Sequence, residues 1–348
     1  MAYKAFNPDF TCKGKHYKEN TTYKENGNEI CEAGVMHYCE NPFDVLDYYP
    51  LVNENGEISE FAEVEPLGKV FKRENKCATN KLHIKAKLGL KGFIKACVDF
   101  TLEKTKIEEI EDDIENDNGN NSAKIGSSED SAQIGSSGDS AQIGSSGYSA
   151  QIGSSGYFAK IGSSGDYAQI GSSGYFAKIG SSGDYAKIGS SGYFAKIGSS
   201  GYFAKIGSSG GSAQIGSSGD YAKIGSSGDS AQIGSSGDSA QIGSSGDSAQ
   251  IGSSGGSAQI GSSGDYAKIT SKGKHSVVMA AGYQSQAKAK KGSWITLAEW
   301  VRTDDEDEKG FCIWIPKCVK TEYVDGERIK EDTFYKLVDG EFKEVEEN

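Results

Sequence analysis

Proline and cysteine are scarce in this sequence and are not placed where they would carry a framework. Only 5 of its 348 residues are proline, and the seven cysteines (Cys12, Cys31, Cys39, Cys77, Cys97, Cys312 and Cys318) all lie outside residues 122–269. Their number is odd and no CxxC pair occurs, which excludes a disulfide framework and reads as reduced thiols in a cytosolic protein. No apolar run approaches the length of a membrane span, and the first residues, MAYKAFNPDF, have no apolar signal core. A soluble protein made in the cytoplasm, with no membrane partner, is expected. A basic stripe is also missing. The formal net charge is -12, with acids concentrated in Glu108–Asp117, Asp304–Glu308 and Glu344–Glu347. Such runs are solvated linkers, loops and tails, and a chain of this kind grips phosphates poorly, so nucleic acid is not an expected partner. Neither a P-loop nor an HExxH pair is present.

What abounds is glycine: 47 residues, most of them in one stretch. From Ser122 to Ile269 the chain repeats S/Y/F-A-K/Q-I-G-S-S-G-D/Y/G, with isoleucine at every ninth position from Ile125 through Ile134, Ile143 and Ile152 to Ile260 and Ile269. The frame continues, degraded, through His275-Ser276-Val277-Val278 and Gln284-Ser285-Gln286-Ala287. Ala and Ile alternate with polar residues, which places both on one face of a short strand. The following G-S-S-G reads as a turn in which glycine supplies positive φ. Two glycines in nearly every repeat exclude a helix. A flexible linker is the competing reading, but a linker needs neither an invariant Ile nor an Ala always two residues before it. One nonapeptide is too short to close a coil. Two per coil give two strands, two turns and two facing sheets, and the tandem FAKIGSSGDYA(Q/K)IGSSGY from Phe158 to Tyr193 carries that eighteen-residue period. A three-sided coil of 27 residues is the alternative. At about 4.8 Å per coil the rod is roughly 40 Å long. Its core is thin, so neighbouring coils and capped ends must support it.

The expected fold class is therefore mainly β: a parallel β-solenoid, or β-roll, with about two nonapeptides per coil, flanked by a small α+β N-terminal domain and a C-terminal β cap. The expected domains are 1–103, an acidic helix or linker over 104–121, the solenoid over 122–292 and the cap over 293–348. Short strands are expected near Ala2–Phe6, Ala62–Glu65 and His83–Lys87. Asn41-Pro42-Phe43-Asp44-Val45-Leu46 reads as an N-cap, a proline at the first position and a helix. A second helix is expected from about Gly92 to Ile114, with Ile107, Ile110 and Ile114 on one side. Trp294–Leu297 and Cys312–Ile315 are strand-like, and Asp325-Gly326 and Asp339-Gly340 are hairpin signals.

The candidate binding residues are aromatic. Position 1 of the repeat is aromatic six times in succession, at Phe158, Tyr167, Phe176, Tyr185, Phe194 and Phe203, and position 9 adds Tyr148, Tyr157, Tyr175, Tyr193 and Tyr202. With two repeats per coil, Phe158, Phe176 and Phe194 stack on one side and Tyr167, Tyr185 and Phe203 on the other. Lys160, Lys178, Lys187, Lys196 and Lys205 accompany them. Stacked rings covered by lysine stems stabilise adjacent coils. An exposed strip of them also suits a partner protein or another copy of the rod, as a dimer or trimer. Calcium is not expected, because serine stands where a calcium β-roll needs a carboxylate in each turn. Cys31, His37 and Cys39, with Cys12 and His16, match no standard zinc spacing and offer no orienting group for a Cys/His pair. Hence no metal, cofactor or catalytic residue is expected.

Two resemblances add to this. The repeat, as at Ser131, Ala132, Ile134 and Gly135, resembles the S-V-A-I-G repeats in the head of trimeric autotransporter adhesins, which implies a β-roll and suggests trimers. It departs in its strict nine-residue period. The flanks resemble an uncharacterised group from phages and gut Gram-positive bacteria, on Gly34, His37, Cys39, Pro42, Asp44, Val45, Leu46, Tyr48 and Tyr49, on Trp294-Ile-Thr-Leu-Ala-Glu and on Asp332-Thr-Phe-Tyr-Lys-Leu. That resemblance implies a phage or prophage origin and a place in the host cytoplasm or the phage particle. The expected function is a non-enzymatic scaffold presenting a repetitive surface. A counter-defence inhibitor of a host factor, and an enzyme in the N-terminal domain with the rod as targeting arm, are the alternatives.

Overall fold

The structure, a computed structural model, describes residues 1–27, 34–73, 75–105, 122–306, 308 and 311–345. In the centre, four-residue strands recur every nine residues and pair in parallel with the strand eighteen residues away, Ile125 with Ile143 and Ile134 with Ile152. Two nonapeptides thus make one coil. Strands beginning at Lys124, Gln142, Lys160 and onward to Gln286–Lys288 form one sheet, and those beginning at Gln133, Gln151, Gln169 and onward to Trp294–Glu306 form the other. The isoleucines point between the sheets and are almost fully buried from Ile134 to Ile269, with the alanines of position 2 beside them. The degraded repeats keep the frame. Val278 takes the isoleucine position opposite Ile260, Ala287 opposite Ile269 and Ile295 opposite Val278.

The turns depart from expectation. None of the repeat glycines has positive φ. The residue at position 1 adopts it instead in part of the rod, at Tyr185 (φ 52°), Phe203 (56°), Tyr221 (55°), Ser239, Ser248, Ser257 and Tyr266. The second glycine of G-S-S-G is required for a different reason, close stacking of coils. A Cβ at Gly183 would lie 1.9 Å from the Gly165 carbonyl oxygen, and the same clash recurs at Gly165, Gly174, Gly192 and Gly201. The turns with positive φ redirect one amide. Tyr167 N–H donates backward to Tyr148 O at 2.9 Å, whereas Tyr185 N–H donates forward to Tyr202 O at 2.8 Å. In forward turns an Asp at position 9 supplies a second link between coils. Asp220 Oδ1 accepts the Asp238 N–H at 2.8 Å, Asp238 that of Gly256 at 2.7 Å, and Asp265 that of Tyr283 at 2.7 Å.

The N-terminal domain is an antiparallel sheet in the order Ala2–Phe6, Glu60–Pro66, Lys81–Lys87, Thr21–Lys24, followed by helix α1, Gly89–Lys104. Asn41 caps as expected, its Oδ1 accepting the Phe43 N–H at 3.0 Å, but the helix it starts, Pro42–Asp47, is 3-10 rather than α. Helix α1 begins three residues earlier than expected. The expected face Ile107, Ile110 and Ile114 lies outside the described residues; the buried face consists of Leu90, Phe93, Ile94, Cys97, Val98 and Thr101. At the other end, the hairpin Trp294–Glu306/Cys312–Tyr323 extends one solenoid sheet, and Tyr335–Val338/Glu341–Glu344 extends the other. Asp339-Gly340 turns that second hairpin with both residues at positive φ. Asp325-Gly326 does not join two paired strands. Asp325 Oδ1 instead accepts three successive amides, from Glu327, Arg328 and Ile329, and folds a loop over the end of the rod.

Candidate functional site

Each strand of the form Q/K-I-G-S turns its first and third residues outward, so every broad face of the rod carries a column of Gln and Lys beside a column of glycine. On the sheet containing Lys160, helix α1 and the segment 42–58 lie along the glycine column. A Cβ at Gly144 would meet Thr105 Oγ1 at 2.4 Å, at Gly162 Thr101 at 3.1 Å, at Gly198 Ile94 at 3.0 Å, at Gly216 Leu51 and Leu90 at 3.2 Å, and at Gly252 the Gly56 carbonyl oxygen at 1.8 Å. A helical turn rises 5.4 Å and a coil about 4.8 Å, so successive turns of α1 meet successive coils. Phe61 stacks on Phe93 at 3.8 Å and joins α1 to the N-terminal sheet behind it.

The lysines beside this column are tied to the 3-10 segment. Lys160 Nζ lies 2.6 Å from Asp44, Lys178 Nζ 2.6 Å from Asp47, and Lys196 Nζ donates to the Leu46 carbonyl. Gln214 continues the row, its Oε1 accepting the Leu51 N–H at 2.8 Å. Burial lowers the pKa of Lys178, and it lowers that of Lys196 to about 8, against the opposing pull of Asp47. Lys160, Lys178 and Lys196 therefore fasten the N-terminal domain to the rod.

The opposite face carries the same two columns without the cover. Gly135, Gly153, Gly171, Gly189, Gly207, Gly225 and Gly243 have nothing within 4 Å of an added Cβ. Gln133, Gln151, Gln169, Lys187, Lys205, Lys223, Gln241 and Gln259 stand exposed beside them, and the whole forms a shallow trough of about 1590 Å³ closed at one end by Val277 and Met279.

The aromatic residues lie on neither face but on the two narrow edges, because position 1 belongs to the turn. On one edge Phe158, Phe176 and Phe194 stack at 5.4 and 5.3 Å, with Tyr157, Tyr175 and Tyr193 in a parallel ladder at 5.3 and 5.6 Å and the two ladders edge-to-face. On the other, Tyr167, Tyr185, Phe203 and Tyr221 stack at 5.2, 5.3 and 5.1 Å. Most of these rings are exposed, Phe158 at 51% and Tyr167 at 45%. The eleven candidate residues thus divide into two edge ladders, three lysines under the N-terminal domain and two, Lys187 and Lys205, on the open face.

Of the Cys/His set, Cys31 lies outside the described residues. Cys12 and Cys39 are buried. Burial pushes the Cys39 thiol up to about 12 and His37 down to about 4. These two and Cys12 line a cavity of about 450 Å³ together with Lys4, Tyr17 and Tyr49. Lys4 is buried, with its pKa lowered by that burial, and its Nζ reaches Cys12 Sγ at 3.5 Å and His37 O at 3.1 Å. No group of three or more His, Cys, Asp or Glu side chains that could hold a metal occurs among the described residues.

Sequence reasoning missed the buried Lys4, the division of the lysines between two faces and the Asp links. The second was within reach. Taken eighteen residues at a time, the lysines fall into two separate runs of three. Residues 1–96 match the model of a domain of unknown function (DUF7666), a match that leaves the rod and its C-terminal cap outside. No curated protein and no solved structure matches the chain.

Proposed function

We propose that this chain is a non-enzymatic, phage- or prophage-encoded scaffold whose rod binds a protein partner or another copy of itself through its aromatic edges. The exposed double ladder of Phe158, Phe176 and Phe194 with Tyr157, Tyr175 and Tyr193 carries the reading. Stacking between coils accounts for the spacing of these rings but not for their position, since elsewhere on the same edges Ser140, Ser212 and Ser230 hold equivalent positions in coils that close equally well. Rigid half-exposed aromatics in a row are a low-entropy contact surface. The flanking-sequence resemblance supports the origin. The test is a triple variant, Phe158→Ser, Phe176→Ser and Phe194→Ser, compared with the parent by light scattering over a range of concentrations and by pull-down from host lysate. Loss of oligomer or partner with an unchanged circular dichroism spectrum supports the reading. A parent chain that is monomeric and retains nothing overturns it.

The cavity around Lys4 favours a second reading, an enzymatic or small-ligand site in the N-terminal domain. A lysine with lowered pKa beside a thiol at a half-open cavity is the environment in which amines become nucleophilic. Borohydride trapping of carbonyl compounds on the full chain, lost in Lys4→Met, would favour it; no adduct with any of a panel of aldehydes and ketones would remove it.

A further inference from the structure

The glycines of the open face are not required by anything inside the molecule. Their φ values are not positive, so the backbone there accepts any residue, and from Gly135 to Gly243 no atom stands where a side chain would go. Glycine weakens a strand. On the covered face the same column is indispensable, because α1 and the loop at Gly56 press against it; past Gly252, where that loop comes nearest, a buried Thr270 takes the next place. The open column ends at the equivalent coil, with Met279 following Gly261. The lysines repeat the correspondence. The covered face has three in register, Lys160, Lys178 and Lys196, all bonded to carboxylates or carbonyls of the segment above them. The open face also has three in register, Lys187, Lys205 and Lys223, exposed and with no ion pair or hydrogen bond from their side-chain amines among the described residues.

We propose that the open face is a second helix-binding groove, the twin of the one α1 fills, and that its occupant is an acidic amphipathic α-helix of another protein. The glycine column lets a helix backbone approach as closely as α1 does on the other side. One helical turn falls on each coil, and the eight glycines from Gly135 to Gly261 accommodate a helix of about 22 residues. Apolar side chains at every third or fourth residue would fill the column, ending against Val277 and Met279. Carboxylates along one flank would pair with Lys187, Lys205 and Lys223. A second rod is the poorer occupant. Lys205 stands on the middle strand of the open face, so a two-fold pairing of two such faces sets lysine rows against each other, with no acidic side chain in either outward column to offset them. This surface is separate from the aromatic edges, and its reading stands or falls independently of theirs.

The test uses the full chain and a fluorescein-labelled peptide of residues 89–105 in which Lys91, Lys95 and Lys104, all exposed on α1, are replaced by glutamate. Fluorescence anisotropy at low salt should show saturable binding, at least roughly tenfold tighter than for the unaltered peptide and weakened by a similar factor in the variant Lys187→Gln, Lys205→Gln, Lys223→Gln. Binding should be lost in Gly189→Leu, Gly207→Leu, whose melting temperature should be no lower than the parent's because both side chains enter open space. The proposal is overturned by absence of binding, or by binding that the glycine substitutions leave unchanged. It is equally overturned by a dimer of the parent chain that Gly189→Leu, Gly207→Leu dissociates, which would make a second copy the occupant.

Discussion

Three glycines within ten residues, Gly243, Gly246 and Gly252, occupy nearly identical sequence yet have three different reasons to exist, and alanine should separate them. At Gly243, on the open face, a Cβ meets nothing within 4 Å. Alanine there should stabilise the rod by about 0.5–1 kcal/mol, since it removes backbone freedom from the unfolded chain and introduces no contact in the folded one. At Gly246 the Cβ would lie 2.1 Å from the Gly228 carbonyl oxygen and 2.4 Å from its carbon. A tolerable approach is near 3 Å, so one coil must move by about an ångström against the next, breaking one or two ladder hydrogen bonds and leaving buried groups unpaired. The cost should be about 2–4 kcal/mol. At Gly252 the obstacle is the Gly56 carbonyl oxygen at 1.8 Å, but Gly56 lies in the turn between Asn53 and Glu57, which can lift away. The cost there should be about 1–2 kcal/mol, with the rod itself intact. Thermal melts report the order, and amide exchange over 237–255 and over 51–58 reports where the loss falls. Gly246→Ala should raise exchange in its own and adjoining coils, and Gly252→Ala only in the loop. If Gly243→Ala proves as harmful as Gly246→Ala, the strand glycines serve a backbone need not seen in their geometry, and the argument for an open groove fails with it.

The titration of Lys196 gives a pH-dependent prediction. Its folded pKa, about 8, lies below the usual lysine value of 10.5, so between those limits the unfolded chain binds more protons. Attachment of the N-terminal domain should therefore strengthen as pH rises from about 8 to 10.5, by at most about 1.4 kcal/mol per pH unit. Lys196→Met should abolish that slope in the difference between the two melting profiles; parallel profiles would contradict the burial of its amine. Asp238→Ala removes an acceptor between coils and should cost about 0.5–1.5 kcal/mol, whereas Asp238→Asn, which keeps an oxygen there, should cost less than half as much in urea melts. Removing eighteen residues, 212–229, should preserve the fold, because each remaining coil finds an almost identical neighbour. Removing nine, 212–220, should not, because every later strand changes sheets and the C-terminal hairpins no longer meet their partners; equal stability of the two deletions would refute the two-strand coil.

The coil was legible because two periods coincide in the repeat: alternation of Ala and Ile set the inward face, and the tandem unit at Phe158–Tyr193 set the number of strands per coil. Asn41 and Asp339-Gly340 were legible because a cap and a two-residue turn are local. The turn geometry was not. The amide of Tyr185 points forward while that of Tyr167 points back, although each residue follows the same Gly-Asp and precedes Ala. The difference depends on the turns above and below, not on the residues of one repeat. The fate of Lys160, Lys178 and Lys196 was also hidden. Their partners lie more than a hundred residues earlier in sequence, and nothing in a nonapeptide distinguishes a lysine beneath Asp44 from one facing water.

A repeat unit that supplies only one Ile and one Ala per strand makes two equivalent faces whether or not both are used. The N-terminal domain breaks that equivalence. By laying α1 on one glycine column and anchoring Asp44 and Asp47 to one lysine run, it adds apolar burial that the thin rod lacks and holds successive coils in register over much of their length. A rod stiffened from one side can leave the other bare without losing its shape. The outward positions there are then free of structural duty, which is why retention of glycine and of a matched lysine run on that side is informative. A larger side chain, as at Met279 after Gly261, is what an unused column would be expected to carry along its whole length.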